Sequence, residues 1–373
     1  MPDSSLVNFI DLSVYNRNIT SVGQEIDLTP HSLGYLPFLD KNIEVAIIRF
    51  GNASETVGAY RLYRYRFNDL IQLLRFLNSR KPAVVLFHGF SFPFRFLLFK
   101  LLLGKQFKWM VQHHAGNPSK NKLKSFIQRL AYSQADGYLF VNRAQAQPFI
   151  QKKIISTTDS VFEIMECSTS FVLSDKTAAR KTLGLSADKT IFIWVGNLDS
   201  NKDPLCLLEA FRLFRNQGHD FELYLFYSKT DLLSQVETFI TQNQLEFVVF
   251  LKGKIDNPKL EPWYNAADFF VACSHSEGSG LAMAEAMACG CVPIVTNIPS
   301  FLYMTQAGAV GKMFNTGSPT DLTQKLVESA RIELEPERMK TREVFMERLS
   351  FQAIGKKTSQ AIHQLHSDLK YSS

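Results

Sequence analysis

Residues 269–293, FFVACSHSEGSGLAMAEAMACGCVP, decide the fold of this chain. The apolar run 269–273 predicts a buried strand, and the glycine-rich turn 277–280 predicts a loop. The small-residue run 281–288 predicts a helix, with Gly290 placed to cap its C-terminus. In such a unit the glycines let the backbone approach a ligand, and the helix N-terminus attracts negative charge. The stretch therefore predicts a phosphate-binding strand, loop and helix.

Two carboxylates flank this predicted phosphate site. Glu277 lies in the loop, and Glu285 lies about one turn into the helix. Both are expected in one cleft at the carboxyl edge of the sheet, where open α/β sheets bind ligands. Because a carboxylate does not bind a diphosphate directly, these side chains are expected to accept hydrogen bonds from hydroxyl groups beside it. Phosphate next to hydroxyl groups indicates a sugar nucleotide.

This pattern resembles the signature of the GT-B glycosyltransferases of retaining family 4, the glycosyl transferases group 1. The family's usual form is E-G-(F/S)-G-(L/Y)-x-x-x-E-A-M-A-x-G-x-P-(V/I)-(V/I). The matching residues are Glu277, Gly278, Ser279, Gly280, Leu281, Glu285, Ala286, Met287, Ala288, Gly290, Pro293, Ile294 and Val295. The alternative is an ordinary βα unit with good helix-forming residues. Glycine, glutamate and proline at the expected offsets favour the family.

The resemblance extends over residues 190–330 and reaches a second loop. Residues 194–203, WVGNLDSNKD, resemble the segment in which the family binds the donor diphosphate with an arginine and a lysine. Gly196 and, after a one-residue shift, Lys202 match this segment. Asn197 stands in place of the arginine and carries no charge, so weaker donor binding or compensation by another cation is expected.

The resemblance also implies roles for the remaining donor residues. Lys254 and Ile255 lie in LKGKI, which resembles the segment whose backbone meets the nucleobase. Glu277 is expected to contact hydroxyl groups of the donor sugar, and Glu285 the ribose. The diphosphate is assigned to Lys202 and to the loop Gly278, Ser279, Gly280 and Leu281, without a metal.

Histidines end two predicted strands of the first half. One strand ends at His88, and the segment QHHAG that ends another contains His113 and His114. In the family a histidine at such a position hydrogen-bonds a sugar hydroxyl, so His114 is the first catalytic candidate, followed by His113 and Glu277. A lone histidine is more often structural, but two predicted strands that end in histidine at one edge of the sheet favour a catalytic role.

The family's glycine pair after the first strand is absent from residues 11–18, DLSVYNRN, so a rebuilt acceptor loop is expected.

The composition fits a two-domain enzyme. At 373 residues the chain is longer than one hydrophobic core usually supports. Its five cysteines form no C-x-x-C pair and no cluster with histidine, which predicts no zinc site, no disulfides and a reduced, cytoplasmic compartment. The N-terminus shows no signal peptide, and no apolar run reaches the roughly 20 residues needed to span a bilayer.

The positive charge is concentrated in the first half. Residues 1–170 contain 20 Lys and Arg against 12 Asp and Glu, whereas the remainder contains 21 against 23. A basic first half favours an acidic partner, either a phosphorylated or lipid-linked acceptor or the anionic inner face of a membrane. Solubility and chance are an equal alternative. Nucleic acid is not expected, because no recognition motif is present.

Residues 90–110, FSFPFRFLLFKLLLGKQFKWM, are the most hydrophobic segment. One interpretation is a membrane-surface helix that reaches a lipid-linked acceptor. The other is a helix buried against the sheet, whose lysines extend outward. The first cations, Arg95, Lys100 and Lys105, are five apart, about 140° per step in a helix, so they form no single polar face. This spacing favours the buried helix.

Alternating apolar and amphipathic segments predict a parallel α/β architecture. The predicted strands are 7–11, 44–50, 83–88, 109–113, 137–141, 162–166, 190–195, 222–226, 246–251, 269–273 and 292–296. Predicted helices include 68–78, 122–133, 204–216, 232–242, 281–288 and one or two over 338–370, with a polar linker at 169–188. We expect a GT-B fold, two Rossmann-like domains facing across a cleft. These are an acceptor domain (1–170), a donor domain (171–345) and a C-terminal helix (346–373) returning to the first domain.

The expected function is a retaining, metal-independent glycosyltransferase without a cofactor. It would move a sugar from a UDP or GDP sugar to a carbohydrate or lipid-linked acceptor, as in surface polysaccharide assembly. The sequence lacks D-x-D, P-loop, G-x-S-x-G and G-x-G-x-x-G motifs, which argues against a metal-dependent transferase, a kinase, a serine hydrolase and a dehydrogenase. Alternatives are a non-catalytic GT-B module that binds a nucleotide sugar or a partner protein, and a phosphorylase or epimerase of the same fold.

Overall fold

The structure is a computed structural model that describes residues 6–16, 18–114 and 116–370. Arg17 of the first loop and Ala115 of the segment QHHAG therefore lie outside the described residues. The chain forms two units, one of residues up to 167 together with those from 351 onward, and one of residues 168–350. The sequence analysis predicted these boundaries after residues 170 and 345.

The first unit is built on an eight-stranded sheet. Its strands are β1 (Val7–Asn16), β2 (Ile43–Phe50), β3 (Glu55–Val57), β4 (Tyr60–Tyr63), β5 (Ala83–His88), β6 (Phe107–Gln112), β7 (Gly137–Phe140) and β8 (Val161–Glu163). The order is β3-β4-β2-β1-β5-β6-β7-β8, and neighbours are parallel except for β3 and β4. The helices are α1 (Val22–Leu28), α2 (Pro30–Leu33), α3 (Phe67–Ser79), α4 (Pro93–Leu103), α5 (Lys122–Tyr132) and α6 (Arg143–Gln151), with a 3-10 turn at Leu36–Phe38.

The second unit has a six-stranded parallel sheet. Its strands are β9 (Thr190–Gly196), β10 (Phe221–Tyr227), β11 (Val249–Gly253), β12 (Phe269–Ala272), β13 (Val292–Thr296) and β14 (Lys312–Phe314). Its helices are α7 (Lys176–Leu183), α8 (Pro204–Asn216), α9 (Leu233–Gln242), α10 (Glu261–Ala266), α11 (Leu281–Ala288), α12 (Pro299–Met304), α13 (Pro319–Ser329) and α14 (Leu334–Arg348), with a 3-10 turn at Asn257–Leu260. The order β11-β10-β9-β12-β13-β14 is that of a doubly wound Rossmann sheet.

The last helix, α15 (Phe351–Lys370), belongs to the first unit. It packs against β1, β5, β6 and the 3-10 turn at Leu36–Phe38. His363 Nε2 lies 2.9 Å from Asp40 Oδ2, and Ser359 Oγ accepts a hydrogen bond from the amide of Asp40 at 3.0 Å. The chain thus returns to its first unit after completing the second.

In each sheet the winding reverses between two neighbouring strands. The reversal lies between β1 and β5 in the first sheet and between β9 and β12 in the second. Open α/β sheets bind ligands outside the carboxyl ends of such a pair, because the two following loops diverge and leave a crevice. The loops after these four strands therefore define the candidate sites.

Each of the strands predicted from the sequence overlaps a strand of the structure, but three short strands were missed. β3 and β4 form the edge of the first sheet, and β14 forms the edge of the second. With three or four residues each, they show neither clear alternation nor a continuous apolar run.

The predicted linker at 169–188 was wrong, because helix α7 lies within it. Asp175 caps its N-terminus by accepting a hydrogen bond from the Ala178 amide at 2.6 Å, and Gly184 ends it in the left-handed region. Arg180 is buried and reaches Asp268 Oδ2 at 2.7 Å. A buried ion pair therefore fixes this segment, which its polar composition does not reveal.

The segment 90–110, for which the sequence favoured a helix buried against the sheet, is buried on one side only. One face of α4, formed by Phe96, Phe99 and Leu103, is buried against the sheet. The opposite face is exposed and consists of Phe94, Leu98, Leu101 and Leu102. No helix within the described residues combines the length and apolar character needed to cross a bilayer.

Candidate functional site

The loop between β9 and α8 carries three of the predicted donor residues. A Cβ at Gly196 would lie 3.1 Å from the Trp194 ring and 3.4 Å from Lys202 Cγ, so glycine lets the lysine stem pack on the backbone. Asn197, which replaces the expected arginine, accepts a hydrogen bond from Ser228 Oγ at 2.9 Å. This loop therefore offers Lys202 as its cation, and Asn197 is engaged by a neighbouring loop.

The glycine loop after β12 leads into an uncapped helix. Gly280, the residue before α11, has φ 63° and ψ 51°, and no side chain of the described residues caps this helix. A Cβ at Gly280 would lie 3.0 Å from the Phe301 ring and 3.2 Å from Met304 Sδ. Only glycine satisfies both the left-handed backbone and this close approach. The N-terminus of α11 is therefore an electropositive backbone site suited to a phosphate.

Lys202 and Glu277 meet in front of this helix. Lys202 Nζ forms an ion pair with Glu277 Oε1, and Ser274 Oγ donates to the same oxygen at 2.7 Å. The carbonyl oxygen of Ser274 accepts from Thr296 Oγ1 at 2.7 Å, which anchors the loop to β13. The structure thus brings together the predicted phosphate-binding cation and the predicted sugar-binding carboxylate.

A small cavity of about 40 Å³ is lined by both members of this pair, together with Trp194, Gly280 and Phe301. It lies at the crevice where the winding of the second sheet reverses. The cation, the carboxylate and the helix N-terminus therefore converge on one point of the second unit. Leu281 also lines the cavity, and Gly278 and Ser279 belong to the same loop, between Glu277 and Gly280.

Asn201 ties the two loops together, and the sequence analysis missed it. Its Oδ1 accepts from the Ser276 amide at 3.1 Å and from Ser276 Oγ at 2.9 Å, and its Nδ2 donates to the Ser276 carbonyl at 3.1 Å. The carbonyl oxygen of Asn201 accepts from the His275 amide at 2.8 Å. These partners are about 75 positions apart in the chain, so no local pattern indicated them.

Glu285 occupies a different environment from Glu277. It is 2% exposed, and its oxygens accept hydrogen bonds from Asn257 Nδ2 at 2.6 Å and Tyr264 OH at 3.2 Å. Burial raises the pKa of Glu285 to about 7, an effect that the two hydrogen bonds only partly offset. Lys254 is exposed and Ile255 half-buried, just before Asn257. Any ribose contact by Glu285 would involve its buried carboxylate, which Asn257 and Tyr264 already hold.

The raised pKa of Glu285 predicts a pH-dependent stability. Between the ordinary pKa of 4.5 and the folded-state pKa of about 7, the folded protein binds more protons than the unfolded chain. The free energy of unfolding should therefore fall as pH rises from 5 to 7, by up to about 3 kcal/mol from this group, and then level off. In Glu285→Gln this contribution should disappear. Urea unfolding of both proteins at pH 5, 6, 7 and 8 measures the difference, and a pH-independent difference would contradict the assignment.

In the first unit, His113 is held inside the protein. It is 6% exposed, and its ring stacks on Phe140 and contacts the edge of Phe149. Its Nε2 lies 2.9 Å from the carbonyl oxygen of Gly116, to which it donates. Burial lowers the pKa of His113 below its ordinary value, although the hydrogen bond to Gly116 opposes this. These contacts describe a neutral, structural histidine.

His114 faces outward from the same edge and joins a chain of ionisable groups. Its Nε2 lies 3.2 Å from His88 Nδ1, and its Nδ1 pairs with Glu166 Oε1. His88 Nε2 in turn lies 2.9 Å from Asp11 Oδ1, which also pairs with Arg49. These side chains come from the end of β5, from the loops after β6 and β8, and from the strands β1 and β2. The sequence analysis noticed His88 but did not include it, Asp11 or Glu166 among the site residues.

The hydrogen-bond directions along this chain follow from the charges. Burial alone would raise the pKa of Asp11, but Arg49 and His88 lower it to well below its usual range, so Asp11 is an acceptor. Burial lowers the pKa of His88 more than Asp11 raises it, so the neutral ring donates from Nε2 and accepts at Nδ1. His114 therefore donates from Nε2 to His88. The remaining contact joins His114 Nδ1 to Glu166 Oε1.

Gly89 permits this arrangement. It has φ +80°, and a Cβ there would lie 2.6 Å from the hydroxyl of Tyr15 and 3.4 Å from Cδ2 of His114. A side chain at this position would push both groups away from the edge of the sheet.

Within the described residues, no group of three or more His, Cys, Asp or Glu side chains is arranged to hold a metal ion.

Comparison with known sequences connects the second unit to a family. Residues 175–343 match the family model described as glycosyl transferases group 1. The D-inositol 3-phosphate glycosyltransferase of Thermobispora bispora is 26% identical over 164 residues, 41% of this chain and 38% of the relative. The poly(glycerol-phosphate) alpha-glucosyltransferase of Bacillus subtilis is 29% identical over 161 residues, 43% of this chain and 22% of the relative. The matches thus span at most 38% of the length of these two relatives.

Solved structures resemble the whole chain. Sucrose-phosphate synthase from Thermosynechococcus elongatus superposes with a TM-score of 0.68 at 16% identity, over 97% of this chain and all of that chain. Anabaena HepE, solved with UDP and glucose, gives a TM-score of 0.67 at 12% identity, over 96% of this chain and 100% of that chain. At these identities the likeness concerns the fold, and it confirms the fold class predicted from the sequence. The chain has the GT-B fold, and the part of it that carries the Lys202–Glu277 site, residues 175–343, matches the family model of the glycosyl transferases group 1.

Proposed function

We propose that this chain is a retaining glycosyltransferase that transfers a sugar from a nucleotide diphosphate sugar, of the UDP or GDP type, to a carbohydrate or lipid-linked saccharide. The observation that carries the proposal is the Lys202–Glu277 pair in front of the uncapped N-terminus of α11. It provides a cation, an electropositive backbone and a carboxylate within one crevice. The relatives named as glycosyltransferases, and HepE with bound UDP and glucose, support a donor of this class.

In the proposed reaction the donor diphosphate binds the N-terminus of α11. Lys202 then forms an ion pair with the diphosphate instead of with Glu277. Glu277 then accepts hydrogen bonds from the hydroxyl groups of the donor sugar. As the glycosidic bond to the diphosphate breaks, Lys202 and the helix N-terminus stabilise the negative charge that develops on the phosphate, without a metal. The acceptor oxygen bonds to the anomeric carbon on the face from which the phosphate leaves, which retains the anomeric configuration, and its proton passes to the departing phosphate oxygen. The His114–Glu166 pair hydrogen-bonds a hydroxyl group of the substrate.

A thermal-shift screen against UDP-, GDP- and ADP-sugars, with a chelator present, tests the donor class. One nucleotide class should raise the melting temperature in the native protein, and Lys202→Met should reduce this shift because it removes the only cation of the loop between β9 and α8, residues 197–203. Lys181→Met, a surface substitution on α7 of the same unit, should leave the shift unchanged. The absence of stabilisation by every nucleotide would contradict the proposal.

The second candidate is a non-catalytic GT-B module that binds a nucleotide sugar or a partner protein. Asn197 favours it, because this side chain is neutral and already accepts a hydrogen bond from Ser228. A nucleotide that stabilises the protein without any sugar transfer, in the presence of candidate acceptors, would support this module.

For the enzyme we propose a cytoplasmic location with peripheral contact at the inner face of the membrane.

A further inference from the structure

We propose that the exposed faces of α4 and α5 dock on an anionic lipid bilayer. On α4 the exposed apolar residues are Phe94, Leu98, Leu101 and Leu102, and on α5 they are Leu123, Phe126 and Leu130. The spacing of three and four residues places each set on one side of its helix. The two helices pack side by side in the first unit. We call these seven residues the α4–α5 face.

The charge along the segment that carries this face has one sign. From residue 70 to residue 135 the sequence contains 11 Lys and Arg and no Asp or Glu. The exposed cations Lys105, Lys120, Lys122, Lys124 and Arg129 form no ion pair within the described residues. On α5 the lysines at 122 and 124 flank the apolar stripe on either side. Apolar side chains bordered by unpaired cations are the pattern of a helix that lies at the surface of an anionic membrane.

A groove beside α4 adds to this pattern. Its volume is about 670 Å³, and it is lined at the end of the helix by Leu97, Leu101, Lys105 and Phe107. Lys100 and Lys108 also line it, but both pair with Asp136. Apolar walls with the unpaired Lys105 at the rim suit an acyl chain and an anionic headgroup. Leu101 belongs to both the groove and the α4–α5 face, so the two surfaces are continuous.

The position of the face connects it to the acceptor. The loops that carry Gly89 and His114 follow β5 and β6 and lead directly into α4 and α5. Docking through these helices would hold the histidine edge of the first sheet close to the bilayer. This step rests on the proposed function, because it lets the enzyme meet a lipid-linked acceptor. Docking itself depends only on the α4–α5 face.

The cations beside the α4–α5 face also favour a lipid bilayer over a second copy of this chain as the surface on which the face docks. In a symmetric dimer the same patch meets itself, so the cations of two copies would lie against each other. Anionic headgroups neutralise these cations while the acyl region receives the apolar side chains. The complementary surface for this face is therefore an anionic bilayer.

Sedimentation of the full-length protein with vesicles tests the proposal. One vesicle type is phosphatidylcholine, and the other contains one part phosphatidylglycerol to two parts phosphatidylcholine. Binding to the anionic vesicles should exceed binding to the neutral ones and should weaken with salt. The combined substitutions Leu101→Glu and Phe126→Glu should lower the affinity by on the order of tenfold or more. Lys122→Gln with Lys124→Gln should lower it by on the order of tenfold, on the anionic vesicles alone.

Matched controls separate docking from general hydrophobicity and charge. Phe247→Glu changes an apolar side chain of the second unit that is 82% exposed, and Lys181→Gln with Lys229→Gln removes two surface cations there. Both should bind vesicles as the native protein does. Equal binding to both vesicle types, no binding to either, or a dimer in light scattering that Phe126→Glu dissociates would each overturn the proposal. The assay contains no sugar donor, so its failure is distinct from a failure of the proposed enzymatic function.

Discussion

Replacing Glu277 with glutamine should lower kcat/KM for sugar transfer by on the order of 100- to 1000-fold. In the structure Glu277 pairs with Lys202 and accepts a hydrogen bond from Ser274, so its carboxylate lies beside the place where the diphosphate is expected. A carboxylate accepts stronger hydrogen bonds from sugar hydroxyls than an amide does, and glutamine keeps the shape but not the charge. The loss should appear mainly in kcat, because a charge near the departing sugar matters most when positive charge develops on its ring.

The fold should tolerate this change. The Lys202–Glu277 pair is partly exposed, and such pairs contribute only about 0–1 kcal/mol to stability. A melting temperature close to that of the native protein is therefore expected. Glu209→Gln is the matched control, because Glu209 also pairs with a cation, Arg212, but lies on the surface of α8. A Glu277→Gln variant with near-native turnover would refute the role assigned to Glu277.

The arrangement of the candidate donor site could largely be predicted from the sequence because its parts are local. Gly280 before α11 and Glu277 within the same loop form one short segment, and backbone geometry alone brings the glycine, the helix N-terminus and the carboxylate together. Lys202 was found through the spacing of its own loop. Its contact with Glu277 depends on β9 and β12 being neighbours, which the predicted Rossmann order implies.

The rest depended on contacts that no local pattern records. Asn201 bonds to a loop about 75 positions away, and the environment of Glu285 depends on Asn257 and Tyr264. The exposed side of α4 was missed because an apolar sequence does not show whether a second layer covers the helix. Likewise, Asp11 looked like an ordinary strand residue, and only the sheet order placed it beside His88.

Substitutions of the adjacent histidines His113 and His114 should have different effects, one on stability and the other on turnover, and this is the second large effect we expect. His114→Ala should lower kcat by on the order of 100-fold with little change in the melting temperature, because His114 lies at the edge of the sheet and pairs with Glu166. His113→Ala should lower stability by about 2–4 kcal/mol, because it leaves a cavity against Phe140 and Phe149 and removes a buried hydrogen bond.

Steady-state kinetics and urea unfolding of both variants measure this separation. Glu166→Gln completes the test, because the amide can still hydrogen-bond to His114 but carries no negative charge. If the charge of Glu166 contributes to turnover, this variant should lower kcat at an unchanged melting temperature, whereas a purely structural contact would leave kcat unchanged. The assignment of His114 fails if His113→Ala loses turnover at native stability, or if His114→Ala keeps it. His113 and His114 are adjacent in the chain, but their side chains lie in different places. His113 is buried against Phe140 and Phe149, whereas His114 is partly exposed and pairs with Glu166.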